Sequence, residues 1–125
     1  MRFAKIVFNV AGIYGIIVLL PHYLLEMKIG QDHPPAITHP EFFYGFVSVG
    51  LAWQLAFLVI AHDPVRYRLM MLPGIFEKWG FVAGAVVLIA LHRVDTIFAV
   101  PAAADFILGA LFLWAFFKTP QVQAQ

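Results

Sequence analysis

Ile6–Leu25 reads IVFNVAGIYGIIVLLPHYLL. A helix needs about 20 mostly apolar residues to cross the hydrocarbon of a bilayer, and this run has that length. Arg2 and Lys5 precede it, as basic residues precede the apolar region of a signal peptide. That region is usually about 7–15 residues long and ends in an A-x-A-like site. Here the run is longer and no such site follows, so it is read as a retained span. Its last turns are unusual. Pro21 lacks an N–H and crowds a carbonyl one turn earlier, which should weaken the helix there. His22 and Glu26, spaced i, i+4, should share one helical face.

The composition extends this reading to the whole chain. The sequence has 125 residues, 62% hydrophobic and 12% charged. Ordinary soluble domains run at roughly 45–50% apolar and about 25% charged. The mean hydropathy is +0.86. A domain this small cannot hide such an excess in its own interior. An all-α integral membrane protein is expected, forming one transmembrane domain over 1–125 with the lipid bilayer as its first partner. The absence of cysteine excludes disulfides, thiol catalysis and thiolate metal sites. A net charge of +1 and the lack of a Gly-rich phosphate loop give no nucleic-acid or nucleotide signal.

Four spans are expected, at about 6–25, 42–61, 74–91 and 96–117. EMKIGQDHPPAITHPE, from Glu26 to Glu41, reads as a loop. In HDPVRYR, Asp63 and Pro64 read as the N-cap and first residue of a helix. YRLMMLPGIF is expected at a membrane interface. Short connections make sequential spans antiparallel, giving an up-down four-helix bundle. One side of it receives Arg2, Lys5, Arg66, Arg68, Lys78 and Lys118, and the other only Lys28 and Arg93. The positive-inside rule then puts both termini in the cytoplasm, in a bacterial-type inner membrane. Trp79, Trp114 and Tyr67 fit an aromatic belt at the inner boundary. Glu77 and Lys78 are expected there too, with Lys78 snorkelling. Gly80 and Gly84, and the ladder Ser48, Ala52 and Ala56, suit close helix contacts, within the chain, with a second copy or with another membrane protein.

Acids and histidines collect on the predicted outer side: His22, Glu26, Asp32, His33, His39, Glu41, His92 and Asp95. His22 and Glu26 have three open readings: interfacial solvation, a structural hydrogen bond or ion pair, or a site. As a metal site they would be joined by His33, His39, His92, Glu41 or Asp95, because imidazole with carboxylate suits zinc, copper, nickel or iron. Asp105 stands in VPAAADFILGALFLW with no adjacent base. A carboxylate in hydrocarbon costs roughly 2.5–3.5 kcal/mol on insertion scales and usually faces the bundle interior. A start of span four at Pro101 would instead place it in a wet first turn. His22, Glu26 and Asp105 are the candidate catalytic acid–base groups. Trp53, Gln54 and Asp105 are the candidate ligand contacts, with Gln54 also suited to an interhelical hydrogen bond. No cofactor is indicated.

DPVRYR after span two, the pair opening span three in EKWGF, and the isolated acid of ADFILGALF together resemble small bacterial four-span proteins of the DoxX-like type. That resemblance covers most of the chain and implies, in various members, quinone or redox partners. The His-x-x-x-Glu of His22 and Glu26, with Asp105 as a further acid, is also similar to the sterol-isomerase-like four-span fold, which implies acids in a lipid-facing cavity. Three functions follow as expectations. The first is a binding or accessory membrane component. The second is an enzyme or redox accessory acting on a lipophilic substrate in the outer half of the bundle. The third is an outer-face metal-binding or transport protein.

Overall fold

A computed structural model describes residues 2–122 and is helical throughout its regular structure. The elements are α1 (Arg2–Leu19), α2 (Glu26–Asp32), α3 (Pro40–His62), α4 (Met71–Ala90) and α5 (Ala99–Lys118). Single 3₁₀ turns extend α1 through Leu20–Leu24 and lead into α4 at Arg68–Met70 and into α5 at Thr96–Phe98. Four segments are long and apolar enough to cross a membrane: Arg2–Leu24, Pro40–His62, Arg68–Ala90 and Thr96–Lys118.

Local chemistry explains where these helices stop. Pro21 ends α-helical pairing in α1, and the chain tightens into a 3₁₀ turn instead of continuing. Within that turn the Nδ1 of His22 donates to the Val18 carbonyl oxygen at 2.8 Å, supplying a partner on the disturbed turn. The end of α4 is a Schellman motif. Arg93 N–H reaches the Leu88 carbonyl and His92 N–H the Ile89 carbonyl. The position that usually holds glycine is His92, in the left-handed region at φ 56°. Asp95 then caps the next turn, its Oδ1 accepting the Ile97 N–H at 3.0 Å.

Two expectations are corrected here. Residues 26–41 are not all loop: Glu26–Asp32 form α2, stabilised by a Lys28–Asp32 pair at 3.1 Å in i, i+4 spacing. Asp63 does not open a helix. It follows the end of α3 and accepts the Arg66 N–H across a turn at 64–67, before α4 begins.

The helices pack as two antiparallel pairs. In the first, ascending positions on α1 meet descending positions on α3: Gly12 on Leu58, Gly15 on Gln54, Leu19 on Gly50 and Tyr23 on Ser48. In the second, Gly74, Lys78 and Trp79 of α4 meet Phe112, Asp105 and Gly109 of α5. The useful glycines are those at crowded crossings. A Cβ on Gly15 would overlap the Gln54 side chain, and one on Gly109 would overlap the Trp79 indole. Gly80 and Gly84, by contrast, offer no other helix within reach of an added Cβ, and Ala52 is exposed, whereas Ser48 meets the end of the first span through Tyr23.

The core that joins the pairs is lopsided. Phe8, Phe57 and Phe112 are fully buried and meet at centroid distances of 4.2 to 6.0 Å, with Ala4, Ala11, Ala61, Met71 and Ala115 around them. These residues lie towards the end that carries Arg2, Lys5, Arg66, Arg68 and Lys118. Arg68 locks that end: its Nε donates to the Phe116 and Thr119 carbonyls at 3.1 and 2.8 Å, and its guanidinium lies 3.8 Å from the centre of the Phe116 ring. It thus satisfies carbonyls that the last turn of α5 leaves unpaired. Towards the other end α3 and α4 part, and among the described residues no comparable cluster fills the gap.

Candidate functional site

That gap is a cavity of about 650 Å³ between the two helix pairs. Its walls are apolar and largely aromatic: Val18 of α1, Phe43, Phe46 and Trp53 of α3, Phe76 and Phe81 of α4. Ile29 of α2 and Phe98 before α5 also line it. Its floor is polar and is built by Gln54, Glu77, Lys78 and Asp105.

The floor arises from three consecutive residues of α4. Successive side chains on a helix point about 100° apart. Glu77 therefore turns into the cavity, Lys78 towards the bundle interior, and Trp79 towards α5. The indole Nε1 of Trp79 donates to the Phe106 carbonyl at 3.2 Å, in the space left by Gly109. That contact fixes α4 against α5 beside Asp105. Lys78 Nζ lies 3.5 Å from Asp105 Oδ1, 3.5 Å from Glu77 Oε2 and 5.3 Å from the centre of the Phe57 ring. The lysine side chain is 4% exposed, against 22% for Glu77 and 18% for Asp105. The ammonium is thus enclosed, and the carboxylates are what the cavity meets.

Gln54 is almost wholly buried beside Glu77. Its amide donates to the Gly50 carbonyl of its own helix at 2.8 Å, and the same side chain reaches Glu77 of α4, the interhelical contact expected of it. Its Oε1 has no hydrogen-bond partner, and neither has Glu77 Oε2. Buried polar atoms are normally paired, so each orphan needs a reason.

The structure draws some candidates together and separates others. His22, Trp53, Gln54 and Asp105 all line this one cavity. Asp105 is not in a wet first turn and not without a base: α5 starts at Ala99, and Lys78 of α4 faces it. His22 and Glu26 do not share a helical face, because the helix breaks between them. His22 bonds the Val18 carbonyl, whereas Glu26 accepts the Tyr44 hydroxyl at 2.9 Å. His33 packs on Phe98 with ring centroids 5.3 Å apart. His39 pairs with Glu41 at 3.3 Å, both exposed. His92 closes α4. Among the described residues, no three His, Cys, Asp or Glu side chains come close enough to share a metal ion.

Glu77, Lys78 and Trp79 are the residues whose role sequence reading missed. They lie midway along the Arg68–Ala90 segment instead of at its boundary. One signal was present. A lone acid in one apolar helix and an acid–base pair within another are natural neighbours, since ionisable groups in apolar spans usually face the bundle interior and pair there.

Comparison with protein-family models, curated proteins and solved structures returns no match.

Proposed function

We propose that the chain is an integral membrane protein, an up-down four-helix bundle of a bacterial inner membrane with both termini cytoplasmic, and that it binds a lipophilic molecule in the cavity between its helix pairs. The cavity is the observation that carries this reading: apolar walls over a small polar floor are the usual build of a small-molecule site. The exterior supports the membrane setting. Large apolar side chains such as Leu24, Phe42, Phe76 and Phe117 are exposed, and lipid is the solvent that suits them. Basic residues crowd one end and acids with histidines the other, which supports the orientation. The DoxX-like resemblance is in keeping with a small four-span accessory protein of this kind.

A long-chain alcohol carrying bromine on its tail tests the binding. In lipid nanodiscs it should quench Trp53 emission saturably, beyond what a Trp53→Phe protein shows. Equal, non-saturating quenching in both proteins would mean that only lipid-facing indoles are reached, and would end the reading. An acid–base enzyme acting on the same molecule is the second reading. It is favoured by Lys78 standing between Glu77 and Asp105 at the cavity floor.

A further inference from the structure

The floor of the cavity is out of balance in two respects. In formal charge, Glu77 and Asp105 bring two carboxylates against the single ammonium of Lys78. In hydrogen bonding, each donor group has an acceptor: Gln54 Nε2 bonds Gly50, Lys78 Nζ bonds Asp105, and Trp79 Nε1 bonds Phe106. Glu77 Oε2 makes no hydrogen bond, although Lys78 Nζ stands 3.5 Å away, and neither does the buried Gln54 Oε1, which is turned to Gly15. An isolated ionised carboxylate in apolar surroundings is strongly unfavourable unless paired. What would complete this floor is a group that carries positive charge and donates hydrogen bonds.

We propose that the cavity takes an amphiphile whose head is a protonated amine, with Glu77 receiving the head and the aromatic walls of α3 and α4 holding the apolar tail. This rests on the binding reading above and specifies its ligand. Glu77 is the receiving group because Lys78 Nζ, 3.5 Å from both carboxylates, makes its hydrogen bond to Asp105. The tail lies along Phe46, Val49 and Phe76, whose exposed faces leave the cavity open between α3 and α4. Electrostatics sets the direction of the preference: a neutral head leaves the excess carboxylate uncompensated.

The test uses the full chain in nanodiscs and two probes matched in tail length and bromination, a primary amine and an alcohol. Affinities are read from quenching of Trp53. The amine should bind about tenfold or more tightly than the alcohol, the scale of a hydrogen bond to a charged group. Glu77→Gln should bring the ratio of amine to alcohol affinity to about one, with helical circular dichroism reporting that the variant is folded. Equal affinity for both probes in the unmodified protein would overturn the amine assignment and leave the cavity reading standing. Saturable quenching by neither probe would overturn the cavity reading itself. The comparison in the unmodified protein does not depend on any variant folding. An undiminished amine preference in Glu77→Gln would refute the role given to Glu77.

Discussion

At the scale of single residues, Gly15, Lys78 and His92 show three different demands. Gly15 is required by contact: its missing Cβ is the space that Gln54 fills. Gly15→Ala should destabilise the bundle by about 1–3 kcal/mol through overpacking. In thermal unfolding in detergent, adding Gln54→Ala should return much of the loss, since the two sites couple directly. Two independent losses that simply sum would sink this account. Lys78 is required by charge. Lys78→Met should cost about 3–5 kcal/mol, because removing one partner of a buried ion pair leaves the other uncompensated. The combination with Glu77→Gln and Asp105→Asn should recover most of that stability. His92 is tolerated more than required. Its left-handed backbone is disfavoured for any residue with a Cβ, at about 1 kcal/mol or more. His92→Gly should therefore raise the unfolding temperature, and a lower one would show that the imidazole has a contact worth keeping.

At the scale of elements, the α4–α5 pair is held by several polar links, from Arg68, Lys78 and Trp79. Arg68 ties the start of α4 to the last turn of α5. Arg68→Ala should leave the Phe116 and Thr119 carbonyls without that donor. Faster amide exchange confined to residues 115–119 is expected, with the rest of α5 unchanged. Exchange that rises evenly along α5 would mean that Arg68 holds the whole pair together and not just its end. Pro21 acts on α1 in the opposite sense, by ending it. His22 of the 3₁₀ turn that follows and Ile29 of α2 both line the cavity. The loop that sequence reading placed at 26–41 thus contains a short helix that lends Ile29 to the cavity wall. Its helical character was hidden by a polar, glycine-containing sequence with no apolar period. Only its neighbours, Tyr44 holding Glu26 and Phe98 packing on His33, define where it sits.

At the scale of the whole molecule, the uneven core explains the site. Fully buried phenylalanines close one half of the bundle, and the parting of α3 and α4 opens the other. Filling that opening should block ligand without unfolding the protein. Val49→Phe, on the exposed rim of the cavity, should abolish saturable Trp53 quenching and leave the helical circular dichroism intact. Retained binding would place the ligand elsewhere.

Apolar runs and their spacing were enough, by themselves, to give an all-helical chain with four segments of crossing length. Hydropathy is a property of each segment alone, so no partner is needed to read it. Asp105, Trp53, Gln54 and His22 were likewise legible as candidates, because a polar or aromatic group in an apolar run stands out without any neighbour. What they face was not legible. The rotation of each helix about its axis decides whether Lys78 snorkels to a boundary or turns inward to Asp105. That rotation is set by glycine crossings such as Gly15 on Gln54 and Gly109 on Trp79. Those are contacts between residues far apart in sequence, and close packing of side chains fixes them only when the helices meet. The same contacts set Lys78 of α4 against Asp105 of α5 at the floor of an apolar cavity.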